Sequence, residues 1–77
     1  MRNAKEEAKR LLAEIDGMDE YDVMNRLVYE IGLIDEPDEY LTVILNLAVE
    51  YCDDDTPSER RKKIYNVVAG LLEVLTG

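Results

Sequence analysis

Along this chain, apolar residues recur at intervals of three and four. Ala4, Ala8, Leu11, Leu12 and Ile15 form one such series; Tyr21, Met24, Leu27, Val28 and Ile31 form a second. Near the end, Ile64, Val67, Val68, Leu71, Leu72 and Leu75 form another, widened by Tyr65, Ala69 and Val74 and opposed by Asn66, Gly70 and Glu73. The α-helix brings every third and fourth residue onto one face, so each series predicts an amphipathic helix with one buried side. Between the second and last series, Leu41, Val43, Ile44, Leu45, Leu47, Ala48, Val49 and Tyr51 leave only Thr42, Asn46 and Glu50 as a narrow polar ridge. A helix apolar around most of its circumference is expected to be the most buried, with Asn46 as the polar residue able to fix its packing register. No run alternates apolar and polar residues around a turn pair, so no strand is predicted.

Polar punctuation divides the same pattern into four. Asn3 with Glu6, Asp19 with Asp22, Asp35 with Asp38 and Thr56 with Glu59 each place a side-chain acceptor ahead of an apolar run and a carboxylate three residues on. Such pairs satisfy amide hydrogens left open in a first helical turn. Pro57 suits the first position of the last helix, and Pro37 the first position of the third, which would make Glu36 its cap. Gly17 and Gly32 can take the left-handed conformation that closes a helix, with Leu33 reaching back to Val28 and Met18 stapling to Val23. The reading is all-α: a compact four-helix bundle, one domain over residues 1–77, with helices at about 4–16, 20–31, 36–52 and 57–75. Short connections favour antiparallel or steeply angled neighbours.

Composition narrows what such a bundle can do. With 77 residues there is room for one core. Histidine is absent and cysteine occurs once, as Cys52, which excludes an internal disulfide and a multi-cysteine zinc site, and points to a reducing, cytoplasmic setting. Eighteen acidic against 9 basic residues give a net charge of -9, a field that repels nucleic-acid phosphates and anionic membrane surfaces. No apolar run reaches the roughly 20 residues of a membrane span, and the N-terminal Met1-Arg2-Asn3-Ala4-Lys5-Glu6-Glu7 lacks the apolar stretch of a signal peptide.

Most of the acids fall in caps, first turns and the loops before them, where they favour the positive end of a helix dipole. In an up-down-up-down bundle, however, the first and third loops share an end. Asp16, Asp19, Glu20 and Asp22 would then approach Asp53, Asp54 and Asp55, forming a strongly negative cap able to steer the protein to a basic partner surface. Asp53-Asp54-Asp55 and Asp16-Gly17-Met18-Asp19 lack the ligand spacing of a calcium loop, so no metal site is predicted. Arg60-Arg61-Lys62-Lys63 spans one helical turn and spreads its charges over several faces; Glu59 to Lys63, Asp22 to Arg26 and Glu6 to Arg10 are spaced for ion pairs. Cys52 reads as a small hydrophobe, because no histidine is present to activate it. Tyr21, Tyr40, Tyr51 and Tyr65 are expected at core edges, whereas Tyr29 lies off the buried stripe and is the first aromatic candidate for an interface. Phosphate loops, nucleophile motifs and acid–base pairs are lacking, so neither an enzyme nor a cofactor is predicted.

Asp53-Asp54-Asp55-Thr56-Pro57-Ser58 resembles the acidic Asp-Ser-Pro entry to the last helix of colicin DNase immunity proteins, which are small acidic four-helix inhibitors. The likeness covers six residues. That family's short third helix with its Tyr-Tyr-Pro segment has no counterpart, since here a long third helix runs into Glu50-Tyr51-Cys52. The resemblance implies that an acidic four-helix domain can act as a protein inhibitor. The function expected is therefore a non-catalytic interaction module (inhibitor, adaptor or antitoxin-like), meeting a protein partner through its acidic loops or associating through the apolar surplus of the third and fourth helices. The alternative is a designed bundle made to fold rather than to act, suggested by four regular helix starts and the absence of Gln, His, Phe and Trp.

Overall fold

The computed structural model describes residues 3–77, so Met1 and Arg2, part of the N-terminal segment read above, lie outside the described residues. Among the described residues four helices follow one another: α1 (Ala4–Ile15), α2 (Glu20–Gly32), α3 (Glu39–Tyr51) and α4 (Ser58–Thr76). The first two begin as their caps dictate. The Asn3 side chain accepts the amide hydrogen of Lys5 at 2.8 Å, and that of Asp19 accepts from Asp22 at 2.9 Å. Gly17 closes α1 with φ +83, a backbone conformation that costs glycine nothing.

Three ends differ from expectation. Gly32 is the last residue of α2 and is not left-handed. The helix tightens instead, Leu33 donating to the Glu30 carbonyl at 3.3 Å and Ile34 to that of Ile31 at 3.0 Å. These bonds satisfy open carbonyls without a left-handed residue and bring Ile34 into the core. Leu33 is left 63% exposed, away from the closing contact expected with Val28. The positive φ of this stretch falls on Glu36, at 55. Neither Asp35 nor Glu36 caps α3. Asp38 does, accepting from Tyr40 at 2.9 Å, and Pro37 lies outside the helix, which spans 39–51 rather than 36–52. At α4 Pro57 occupies the cap position and makes no side-chain cap bond. The Thr56 hydroxyl donates at 2.6 Å to the Glu50 carbonyl, because the open end of α3 competes for it.

Packing joins α1 to α2, α2 to α3, α3 to α4 and α4 back to α1, a closed ring of neighbours. Its interior is built from Ala8 and Leu11 of α1, Met24, Leu27 and Ile31 of α2, Leu41, Ile44 and Ala48 of α3, and Ile64, Val68 and Leu72 of α4. Each fully buried Leu or Ile stabilises the fold by about 1.5–3 kcal/mol. The radius of gyration, 11.6 Å, matches the roughly 11.5 Å of a compact chain of this length. The deepest positions are shared between α3 and α2, each with four buried residues. Val43 and Val49 of α3 and Val67 of α4, expected to be covered, are about half exposed, and Asn46 faces solvent. Tyr21 and Tyr40 are also about half exposed, whereas Tyr51 is buried and Tyr65 half-buried.

Candidate interaction surfaces

Two cross-helix contacts fix which loops share an end. The Tyr51 hydroxyl, at the end of α3, lies 3.4 Å from a carboxylate oxygen of Glu20, at the start of α2. One residue on, the Cys52 thiol lies 3.6 Å from the side-chain oxygen of Asn25. The connection between α1 and α2 therefore sits at the same end of the bundle as that between α3 and α4. Asp16, Asp19, Glu20 and Asp22 from the first, and Asp53, Asp54 and Asp55 from the second, are all exposed there.

Part of this charge has local work. Asp19 caps α2, and Asp53 accepts the Asp55 amide hydrogen at 2.9 Å, folding the third loop into a turn. No ion pair among the described residues neutralises any of the seven carboxylates. Nor, among the described residues, do three His, Cys, Asp or Glu side chains converge in a metal-binding arrangement.

The arginines of the described residues are committed elsewhere. Arg10 pairs with Glu7 at 2.8 Å, with Glu30 at 3.0 Å and with Glu14 at 3.1 Å, rather than with Glu6. Arg26 turns to Glu30 instead of Asp22, and Arg60 reaches across to Glu50 at 2.6 Å. Arg61 donates to the carbonyls of Tyr51 at 2.9 Å and Asp53 at 2.7 Å, closing the end of α3, while its guanidinium lies over the Tyr51 ring. Lys63 forms no ion pair with Glu59. The basic run is thus split: its arginines tie α4 to α3 and its lysines are left to solvent.

Tyr29, 61% exposed, lines a shallow hollow of about 580 Å³ with Met18, Asp22, Asn25 and Arg26. The fold thus brings two of the predicted contact residues, Asp22 and Tyr29, to one surface bordering the acidic end. Tyr51 is pushed above the ordinary tyrosine range, first by burial and then by the Glu20 carboxylate. Burial likewise raises the Cys52 thiol above its ordinary range, against the opposing pull of Arg61.

A second concavity escaped the sequence reading. At the opposite end, Ala4 and Glu7 of α1, the irregular segment 33–38 and Leu41 of α3 border a cleft of about 610 Å³. It is made of backbone that follows no periodic pattern; the signals present were Leu33 and Pro37 between two helices. No helix among the described residues is long and apolar enough to cross a membrane. No family model matches this sequence, and searches of curated proteins and of solved structures likewise find no match.

Proposed function

We propose that this protein is a non-catalytic interaction module, of the inhibitor, adaptor or antitoxin kind, that docks its acidic end onto a basic surface of another protein. The observation that carries the reading is the meeting of seven exposed carboxylates from two separate loops at one end of the bundle, with no paired cation among the described residues. Such a pole steers a positively charged partner over distances up to the screening length, about 8 Å at physiological salt. Tyr29, beside Asp22, adds an aromatic contact at its edge. The apolar surplus of α3 and α4 offers a further contact surface. The lone Cys52 thiol suits a reducing, cytoplasmic setting.

The test compares proteins captured by the wild-type chain with those captured by a chain carrying Asp16→Asn, Asp22→Asn, Asp53→Asn, Asp54→Asn and Asp55→Asn, with the Asp19 cap left intact. The proposal expects a basic partner whose association rate falls steeply with added salt and whose capture is lost in the variant. Capture indifferent to both salt and the substitutions would refute it. A second reading, a bundle designed only to fold, is supported by the side-chain caps on α1, α2 and α3. It expects very high thermal stability and no partner.

A further inference from the structure

We propose that the turn between α1 and α2 is a self-modification site, at which the Asp16 carboxyl group closes onto the Gly17 nitrogen and the residue converts from aspartate to isoaspartate. The chemistry is independent of the docking reading, although its product reshapes the acidic end.

Glycine makes the site. Of the eight aspartates in the chain, Asp16 alone precedes a glycine; the residue after each of the others carries a Cβ that crowds the nitrogen under attack. Asp16 has φ -59 and ψ 127, Gly17 has φ +83, and the Met18 amide donates to the Ile15 carbonyl at 3.0 Å. Those angles and that bond define a type II turn, whose one closing bond makes no use of the amide of its third residue. Gly17 accordingly donates no hydrogen bond among the described residues. By contrast, the nitrogens that follow Asp22, Asp54 and Asp55 are engaged: Val23 donates to the Asp19 carbonyl, Asp55 to the Asp53 side chain and Thr56 to the Asp53 carbonyl. The Asp16 side chain is exposed, and no ion pair among the described residues holds it.

To bring the nitrogen under the carboxyl carbon, the peptide unit between the two residues must rotate. That rotation exchanges a type II for a type I turn, which keeps the bond from Met18 to Ile15 and changes only ψ of Asp16 and φ of Gly17. Glycine accepts either sign of φ. A Cβ placed on Gly17 would meet nothing within 4 Å, so no packed neighbour blocks the movement. The folded chain therefore reaches the reactive geometry with α1 and α2 in place.

The atoms balance with water alone. A bond forms from the Gly17 nitrogen to Asp16 Cγ; the nitrogen gives its proton to solvent, and the hydroxyl of the protonated carboxyl leaves as water, giving a cyclic imide. Water then opens the ring. Addition at Cγ restores aspartate, whereas addition at the former backbone carbonyl routes the chain through the side-chain carbons and leaves a free carboxylate on Cα. Net charge is unchanged, but the backbone between Ile15 and Met18 gains one atom, just ahead of the Asp19 cap and beside the hollow that Met18 shares with Tyr29. The acidic end thus changes shape with age at constant charge.

The test incubates the full folded chain in mildly acidic buffer at physiological temperature, then maps its peptides by mass spectrometry with electron-transfer fragmentation, which tells isoaspartate from aspartate. Isoaspartate is expected at position 16 and at no other aspartate. Its rate of formation should lie within about tenfold of that in an unstructured peptide carrying residues 13–20, equivalent to about 1.4 kcal/mol of barrier. Asp16→Glu, whose longer side chain must close a larger ring, should keep the helical circular dichroism spectrum and lose the signal. A folded chain slower than that limit, or isoaspartate spread evenly over the other aspartates, would overturn the proposal. Salt-dependent capture of a basic partner by freshly prepared protein is a separate measurement, so the two claims fail independently.

Discussion

Asp19 and Thr56 both stand three residues before an acid and ahead of an apolar run, yet they do opposite jobs. Asp19 accepts a hydrogen bond from the helix it precedes; Thr56 donates one backward to the helix that came before. Two substitutions separate these roles in urea unfolding. Asp19→Ala should lower stability by about 1 kcal/mol, the usual cost of a lost cap. Thr56→Asp should also lower it by about 1 kcal/mol, because a carboxylate cannot donate to the Glu50 carbonyl and repels it. Were Thr56 the cap of α4, aspartate would serve there as well or better. Glycine placement is divided in the same way. Gly17 takes the left-handed backbone its position requires, while at the end of α2 that conformation falls on Glu36 and Gly32 remains helical. Which residue turns left-handed there depends on where the chain must go to bury Ile34, and no local pattern encodes that.

Ion pairs join the helices that neighbour one another in sequence. Arg10 and Glu30 link α1 to α2, and Glu50 and Arg60 link α3 to α4. Hydrogen bonding from Arg10 is the main force holding the Glu30 carboxyl below the ordinary carboxylate range, against a smaller opposing effect of burial; Arg60 acts in the same way on Glu50. A carboxylate whose pKa is lowered by folding stabilises the native state above its unfolded value, near 4.5, and that contribution disappears as pH falls through the lowered value. The wild type should therefore melt above Glu30→Gln at neutral pH, and the gap should close below about pH 4.5. A gap of constant size across that range would show that the carboxylate charge contributes nothing. The helices themselves were legible from spacings of three and four, because burying a stripe is what holds each one in place. The start of α3 and the cap of α4 were not, since the backbone around Pro37 and the Glu50 carbonyl decide them through contacts made only after folding.

For the molecule as a whole, the candidate acidic pole of Asp16, Asp19, Glu20, Asp22, Asp53, Asp54 and Asp55 was legible only on the condition of an up-down-up-down course, and the contacts of Tyr51 with Glu20 and of Cys52 with Asn25 bring the two loops to one end. The exposed valines of α3 and α4 were less legible. The sequence marks α3 and α4 as too apolar for one buried face each, but whether Val43 and Val67 turn inward depends on how the ring of helices closes. The cleft beside Leu33 and Pro37 depends in turn on an irregular loop path. Function enters through the pole, so its assembly is the claim to test first. In a chain carrying Cys52→Ser and Asp54→Cys, a nitroxide attached at position 54 should broaden the amide resonances of residues 16–22 more strongly than those of residues 33–38. Stronger broadening at 33–38, or unaffected signals at 16–22, would place the two acidic loops apart and contradict the account.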